Sequence, residues 1–164
     1  MILRGPRLEL RLLQSADAER LAEIARQPEV ARWWGLVSAS ELEHKAGDGE
    51  VVALAVEEDG ELIGMIQFSE EHDAMYRHAT VDMFLCASRH GRGLGREAVA
   101  LVVEHLLEAR GHHRITIDPA AANHRAIRCY EAVGFTAVGV MRSYERGADG
   151  TFHDGLLMEL VREP

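Results

Sequence analysis

The sequence predicts one α/β (α+β) domain over residues 1–164, with a mixed, mostly antiparallel central sheet of about six or seven strands flanked by about four helices. Short runs in which apolar and polar residues alternate indicate the strands. An Asp-Gly pair between two of these runs indicates a hairpin, and a long amphipathic segment between two later runs indicates a strand-helix-strand unit. Since no linker or repeat divides this order, a single core is expected.

The first strand and the helices after it are predicted from a change in the spacing of apolar residues, from alternation to helical periodicity. Leucines alternate with charged residues over residues 7–13, which predicts a half-buried strand. Ser15 is placed to cap a helix in which alanine and leucine recur at helical spacing, and Pro28 starts the next segment. Ser38 and Glu41 form a capping-box pattern, which predicts another short helix.

The middle of the chain predicts a hairpin and a central strand. Residues 51–57 and 61–68 are rich in β-forming side chains. Asp59-Gly60 lies between them, and this dipeptide readily adopts the positive φ angles of a tight turn. After a polar stretch, residues 80–86 form the next predicted strand, which leads directly into a glycine-rich loop.

The second half of the chain alternates between the two element types. An amphipathic helix begins near Leu94, a short strand follows at residues 115–117, and another helix covers residues 123–133. Two closing strands are expected near residues 135–144 and 152–160.

Composition and charge limit the class of protein. The 18 basic and 27 acidic residues give a formal charge of −9, which argues against a nucleic-acid surface and favours a cationic small partner. Cys86 and Cys129 are too few for a disulfide scaffold and are expected to be reduced thiols. No apolar run approaches the roughly 20 residues that span a bilayer, so we expect a cytoplasmic protein without membrane contact. A homodimer is compatible with the sequence, which does not fix the oligomeric state.

The glycine-rich loop at residues 89–96 is the first candidate for a binding site. Its glycines let the backbone approach an anion, and free amides at the start of the following helix point toward it. The helix dipole and three loop arginines add positive charge, which suits a diphosphate. The loop is not a P-loop, because GxxxxGK is absent, and Arg96 stands where a dinucleotide fingerprint needs its third glycine. A purely structural turn is the alternative.

The loop and the strand before it resemble a known motif. Gly93-x-Gly95 before a long helix, preceded by the strand VDMFL, is similar to the acetyl-CoA-binding motif Q/R-x-x-G-x-G/A of the GNAT superfamily of N-acetyltransferases. His90 departs from the motif at its first position. The resemblance implies the GNAT fold and acetyl-CoA as the acyl donor. It also implies a donor-binding set, consisting of Phe84, Leu85, Cys86, His90, Gly91, Arg92, Gly93, Leu94, Gly95, Arg96, Asn123 and Ala126.

The most specific segment is DPAAANHRAIRCYEAVGF, residues 118–135. It resembles the second GNAT signature, N-x-x-A-x-x-x-Y-x-x-x-G-F. The resemblance implies that Asn123 contacts the pantetheine arm and that Tyr130 protonates the leaving thiolate. A phenol suits that role, because it is protonated at neutral pH and can donate directly. A tyrosine that only packs in the core is the alternative.

A narrower resemblance, to the aminoglycoside 6'-N-acetyltransferases, extends along the chain. It rests on scattered matches at Trp33-Trp34-Gly35, residues 60–64, Val81-Asp82, Asp118-Pro119, Asn123 and residues 125–130. The resemblance implies that Asp82 is the general base or orients the amine, and that Asp118 contacts a cationic sugar. Trp34 is a candidate wall of the substrate site, with a core position as the alternative. The stretch before the central strand lacks the tryptophan of that group.

Asp82 also stands out from the residues alone. A carboxylate inside the apolar strand VDMFL is costly unless it is paired or used. Alternation places it on one face of the strand with Thr80 and Phe84. A structural ion pair or amide contact is the alternative for Asp82, and a turn role before Pro119 is the alternative for Asp118.

These residues give a hypothesis for the mechanism. A cationic amine binds near Asp82 and Asp118, loses a proton to Asp82 directly or through water, and attacks the thioester carbonyl. Amides of residues 84–86 polarise that carbonyl, Tyr130 protonates the departing sulfur, and no metal ion is required. An acyl-enzyme on Cys86 would need a base beside it, and the histidines show no metal-ligand spacing.

Three functions are compatible with this set of residues. The first is acetylation of an aminoglycoside or related aminosugar, and the second is acetylation of a protein or peptide N-terminus. The third is a CoA-binding sensor without turnover. A binding module needs neither Asp82 nor Tyr130, so the presence of both favours an enzyme.

Overall fold

A computed structural model shows the fold and describes residues 1–47 and 49–163. The strands in these residues are Ile2–Arg4 (β1), Leu8–Leu12 (β2), Val51–Glu58 (β3), Glu61–Glu71 (β4), His78–Leu85 (β5), Arg114–Ile117 (β6), Thr136–Arg146 (β7) and Phe152–Val161 (β8). The α-helices in the same residues are Ala18–Ala25 (α1), Pro28–Trp34 (α2), Ala39–Gly47 (α3), Leu94–Glu108 (α4) and His124–Val133 (α5).

The strands form one mixed sheet in the order β1-β2-β3-β4-β5-β6-β8-β7. Strands β5 and β6 are parallel and are connected through α4, whereas the other neighbouring strands are antiparallel. The predicted fold class and the predicted strand-helix-strand unit are therefore confirmed.

The described residues contain eight strands and five α-helices, more of each than the sequence predicts. The additional strand, β1, has three residues, too few to show an alternating pattern, and it pairs with β2 through Ile2 and Arg11. The additional helix, α2, begins at Pro28, which occupies the first helical turn. Its seven residues make about two turns, so a hydrophobic stripe does not develop.

The start of α1 differs from the prediction that Ser15 caps it. Ser15 lies inside a short 3₁₀ turn, and the carboxylate of Asp17 organises this turn instead. Asp17 accepts a hydrogen bond of 2.8 Å from the amide of Gln14 and pairs with Arg11 at 2.8 Å. The hydrogen bond from Arg11 holds the pKa of Asp17 below its usual value. Arg11 lies on β2, and the spacing of residues around Ser15 could not reveal a contact between these two elements.

The other local turn signals are confirmed. The amide of Ser38 donates to Glu41 Oε2 at 2.7 Å, and the amide of Glu41 donates to Ser38 Oγ at 3.2 Å, which is the predicted capping box. Asp59 and Gly60 join β3 to β4 with φ angles of 50° and 78°. These positive angles explain the Asp-Gly pair at the hairpin.

The core lies on both sides of the sheet. The segment Ala53–Val56 of β3 is fully or nearly buried, so neither face of this strand meets solvent. Helices α1 and α3 pack on β4 and β3, while α4 packs on β1, β2 and β5. Within the described residues, no helix is both long and apolar enough to span a membrane.

The parallel pair positions the site. Strands β5 and β6 pair through Ala79 with Ile115 and Thr80 with Thr116, and in the described part of the chain their ladder ends there. Strand β5 continues to Leu85 without a partner on this side. A cleft therefore opens between the carboxyl ends of the two strands, where the glycine-rich loop and α5 meet.

Candidate active site

A cavity of about 960 Å³ occupies this cleft. It is lined by α2, the end of β5, the glycine-rich loop, the segment after β6, α5 and the end of β7. Its volume is at the upper end of the range of about 300–1,000 Å³ that ligand pockets occupy. The cavity can therefore hold two ligands side by side, such as an acyl donor and an acceptor.

Most of the predicted site residues line the cavity: Trp34, Asp82, Phe84, Leu85, His90, Gly91, Gly93, Leu94, Gly95, Arg96, Asp118, Asn123, Ala126 and Tyr130. In the described chain, Cys86 and Arg92 are the predicted donor-binding residues outside the lining. The amide of Cys86 donates to the carbonyl of Ile63 at 2.7 Å. The Arg92 guanidinium pairs with Glu58 at 3.0 Å. The Cys86 amide and the Arg92 guanidinium therefore each have a partner within the protein.

The glycine-rich loop has the backbone geometry that suits an anion. Gly91 and Gly93 have φ angles of 73° and 78°, which favour glycine, and Gly93 caps the start of α4. The first amides of α4 lack helical acceptors and point out of the helix end. Arg89 and Arg96 both line the cavity; Arg89 pairs with Glu58 at 2.8 Å and with Glu61 at 2.6 Å, whereas Arg96 forms no ion pair among the described residues. The helix start and Arg96 together can bind a diphosphate.

The end of β5 presents a backbone amide to the cleft. Because the amide of Cys86 points to β4, the amide and carbonyl of Leu85 point the opposite way, into the cleft. The Met83 amide is already used, since it donates to Asp82 Oδ1 at 2.9 Å. Of the amides expected to polarise a thioester carbonyl, the arrangement favours that of Leu85.

His90 braces the loop against α5. Arg125 can only donate, so its Nη1 donates to His90 Nδ1 at 2.6 Å, and His90 Nε2 donates to the Leu85 carbonyl at 2.8 Å. This geometry requires a neutral ring, and partial burial lowers the pKa of His90 accordingly. His90 was expected to contact the donor, but both of its ring nitrogens have partners within the protein. The side chain therefore positions Leu85 and Arg125.

Asp82 is a carboxylate with the properties of a base. Its side chain is accessible through the mouth of the cavity, but protein surrounds it on the other sides. This burial raises the pKa of Asp82 to about 7, and the negative charge of Asp118 contributes to the shift. Among the described residues it forms no ion pair, whereas the amide contact considered as the alternative is present, since Asp82 Oδ1 accepts a hydrogen bond of 2.9 Å from the Met83 amide. Near pH 7 it can exchange a proton with an amine.

Tyr130 is a phenol that stays protonated. It is 7% exposed, lies in α5 at the cavity wall and packs edge-on against Phe135, with ring centroids 6.3 Å apart. Burial holds the pKa of Tyr130 well above its usual value, and the charge of Asp82 acts in the same direction. The hydroxyl therefore stays protonated and can donate a hydrogen bond, and it can give up its proton only when another proton replaces it, because the phenolate is strongly disfavoured.

The far end of the cavity contains residues that the sequence did not reveal. Tyr144 and Glu145 reach it from β7, and the Tyr144 hydroxyl donates to Asp118 Oδ2 at 2.6 Å. Burial and the charge of Asp118 raise the pKa of Glu145. Strand β7 was expected in this part of the sequence, but strand periodicity carries no information about which residues bend toward a cleft. Glu29 of α2 lines the same cavity.

Trp34 combines the two roles that were considered for it. Its ring packs edge-on against Phe84, with centroids 4.8 Å apart, and it also lines the cavity. It therefore supports the end of β5 and forms a wall of the site. Among the described residues, no group of three or more His, Cys, Asp or Glu side chains is arranged to hold a metal ion.

Comparisons with known proteins agree with this arrangement. Residues 7–136 match the family model of the acetyltransferase (GNAT) domain. The chain is 30% identical over 153 residues to aminoglycoside N(6')-acetyltransferase type 1 of Klebsiella pneumoniae, covering 80% of this chain and 75% of the relative.

Two solved structures extend the comparison. The structure of aminoglycoside acetyltransferase AAC(6')-Ib in complex with coenzyme A matches with a TM-score of 0.77 and 27% identity, covering 94% of this chain and 95% of the other. Ribosomal-protein-S5-alanine acetyltransferase from Vibrio fischeri matches in fold with a TM-score of 0.86 and 18% identity, covering 99% and 97% of the two chains. The chain therefore belongs to the GNAT family and is an N-acetyltransferase that uses acetyl-CoA as its donor.

Proposed function

We propose that the enzyme transfers an acetyl group to a primary amine of a cationic aminosugar, with the 6'-amine of aminoglycosides as the acceptor. The observation that carries this proposal is the set of neighbouring carboxylates in the acceptor part of the cavity: Asp82, Asp118 and Glu145. Such a cluster attracts ammonium groups and orients a polyamine at several points. The 30% identity to an aminoglycoside N(6')-acetyltransferase supports the same acceptor class.

The donor half of the cavity supports binding of acetyl-CoA in a defined direction. The start of α4 and Arg96 suit the pyrophosphate, which places the thioester near the end of β5. Asn123 caps α5, and its Oδ1 accepts a hydrogen bond of 3.2 Å from the amide of Ala126. Its side-chain NH₂ group is therefore oriented by the cap and is suited to an amide of the pantetheine arm.

The proposed reaction is direct transfer from thioester to amine. The acceptor ammonium gives a proton to Asp82, whose pKa of about 7 allows it to act as a base near neutral pH. The free amine attacks the carbonyl carbon while the Leu85 amide stabilises the oxyanion. Tyr130 then gives its proton to the departing thiolate, and the second proton lost by the acylated nitrogen restores the phenol. Holding both substrates in one cavity supplies the proximity that such a transfer needs.

A second acceptor class, the N-terminal amine of a protein, is supported by the shape of the site. Helix α2 and the end of β7 form different walls of the cavity, so an extended peptide can enter between them. The fold likeness to ribosomal-protein-S5-alanine acetyltransferase is compatible with this use. The three neighbouring carboxylates favour the polycationic aminosugar, because an N-terminal peptide brings a single ammonium group.

The test is thiol release from acetyl-CoA with a panel of acceptors. We expect turnover of 2-deoxystreptamine aminoglycosides that carry a 6'-amine, and much slower turnover of polyamines and N-terminal peptides. Asp82→Asn serves as the control for background hydrolysis. Preferred turnover of peptides would move the assignment to the second class. Binding of acetyl-CoA without thiol release on any amine would contradict the proposal and support a sensor.

A further inference from the structure

Lys45 is the only lysine among the 18 lysine and arginine residues of the sequence. Apart from the amino terminus, it therefore carries the only aliphatic amine of the chain. This single amine lines the same cavity as Asp82 and Tyr130. An unused amine inside the cavity of an N-acetyltransferase is a chemically competent acceptor.

The structure places the Lys45 ammonium beside the proposed base. Lys45 lies in the last turn of α3, and its Nζ donates to Gln67 Oε1 at 3.2 Å. Gln67 and Asp82 are direct cross-strand partners on β4 and β5. Their side chains therefore share one face of the sheet, with Cβ atoms about 4.5–5.5 Å apart. The charge of Lys45 acts on Asp82 and opposes the rise in its pKa.

The attachment of the ammonium is weak. Gln67 offers a neutral amide oxygen, and among the described residues Lys45 forms no ion pair. One such hydrogen bond contributes about 1 kcal/mol, so the flexible four-carbon side chain can leave it and turn toward the thioester. Because the amine is part of the enzyme, its effective concentration at the donor does not depend on diffusion.

We propose that Lys45 is a self-acetylation site, used when acetyl-CoA is bound and no acceptor fills the cavity. This inference rests on the proposed roles of Asp82 and Tyr130. The Lys45 ammonium gives a proton to Asp82, its nitrogen forms a bond to the acetyl carbonyl carbon, and the carbon–sulfur bond breaks. The thiolate takes the proton of Tyr130, and the second proton that the nitrogen loses restores the phenol, so the proton held by Asp82 is the one released. The products are Nε-acetyl-Lys45, free coenzyme A and one proton. Acetylation removes a positive charge from the acceptor part of the cavity.

The experiment uses the full chain with acetyl-CoA and no added amine. Intact mass and peptide mapping should show one acetyl group on the peptide that contains Lys45, formed at a rate independent of protein concentration. Asp82→Asn should slow this modification by about tenfold or more, because the base is lost. Lys45→Arg should leave the corresponding peptide unmodified. Peptide mapping distinguishes acetylation of Lys45 from acetylation of the amino terminus.

A relocated lysine provides the matched control. Glu43 is exposed on the same helix, so the double variant Glu43→Lys/Lys45→Arg keeps one lysine but moves it out of the cavity. It should be acetylated no faster than the urea-unfolded wild-type chain. Equal acetylation of the relocated lysine, or an unchanged rate in Asp82→Asn, would show solution chemistry and overturn the inference.

Thiol release with added amines separates this inference from the proposed function. An enzyme that acetylates an added amine but leaves Lys45 unmodified overturns the self-acetylation site alone. Acetylated Lys45 without turnover of any added amine supports the site and contradicts the proposed acceptor. An unmodified Lys45 and no thiol release with any amine overturn both.

Discussion

The hydroxyl of Tyr144 donates a hydrogen bond of 2.6 Å to the carboxylate of Asp118, joining the edge strand β7 to the segment that follows β6. This bond raises the pKa of Tyr144 to about 12. It fixes one oxygen of Asp118 and leaves the other available at the acceptor end of the cavity. If Asp118 binds the acceptor as proposed, we expect acceptor binding to depend on the position of β7.

Tyr144→Phe tests this coupling. A hydrogen bond to a charged group contributes about 1.5–3 kcal/mol, and partial exposure of Tyr144 places the loss near the lower value. We expect KM for a cationic amine to rise about tenfold with a smaller change in kcat, since tenfold corresponds to about 1.4 kcal/mol. Steady-state kinetics measures this effect. Tyr76→Phe, at an exposed tyrosine outside the cavity lining, is the matched control. A fall in kcat at constant KM would contradict the assigned position.

The charge of Asp118 should be visible in the pH profile. Asp82 must be ionised to accept a proton, so kcat/KM should rise with pH and level off above its pKa of about 7. Asp118→Asn removes a negative charge that raises this pKa, so the rising limb should move to lower pH. The measurement is kcat/KM against pH for both proteins. If the rising limbs of the wild-type and Asp118→Asn profiles coincide, either Asp82 is not the titrating base or Asp118 does not act on it.

Tyr130→Phe should separate catalysis from donor binding. Phenylalanine keeps the contact with Phe135 but cannot donate a proton. We expect kcat to fall about 10²–10⁴-fold, the usual contribution of a general acid. The Kd for coenzyme A, measured by calorimetry, should stay close to that of the wild type. If kcat is retained, the thiolate leaves without help from Tyr130.

Asp82 should reduce folding stability at neutral pH. Its pKa is raised from 3.8 to about 7 by burial and by Asp118, so between these pH values the unfolded chain binds fewer protons than the folded one. Stability therefore falls as pH rises through this window, and the loss is complete above about pH 7. Asp82→Asn should raise Tm at about pH 8 and change it little at about pH 4. A Tm increase of equal size at both pH values would contradict the assignment.

Gly64 should be required for the β4–β5 contact that shapes the cleft. A Cβ atom at this position would lie 2.2 Å from the backbone oxygen of Phe84. Gly64→Ala must displace β5, and we expect a loss of about 1–3 kcal/mol in the free energy of unfolding, with reduced kcat/KM. Urea unfolding measures the loss. Gly139→Ala in β7 is the control, because a Cβ there meets no described atom within 4 Å. Equal losses in both variants would contradict the role of Gly64.

The sequence predicted those parts of the site that depend on local chemistry. Glycines at the loop, the phenol of Tyr130 and a carboxylate within the apolar strand β5 each carry a signal in their own neighbourhood. Strand β1 was too short to show a period. The turn before α1, where Ser15 was predicted to be the cap, is instead held by Asp17, which pairs with Arg11 of β2. Such partners are decided by the pairing of distant strands.

The acceptor end of the cavity could not be predicted for the same reason. Tyr144 and Lys45 come from β7 and α3, which lie outside the two segments that resemble the GNAT motifs. Arg92 lies in the loop that was expected to bind the donor, yet Glu58 at the end of β3 draws it away. For Arg92, an ion pair with a residue of another element therefore decided its position outside the cavity lining.

The most direct test of the central claim is kcat/KM for a matched pair of 2-deoxystreptamine aminoglycosides that differ only in a 6'-amine or a 6'-hydroxyl. The carboxylate cluster and the base Asp82 predict turnover of the 6'-amine compound, with the acetyl group on that nitrogen in the product, and at least a hundredfold lower kcat/KM for the hydroxyl compound, about 2.7 kcal/mol. Equal rates for the two compounds, or acetylation at another nitrogen, would contradict the assignment.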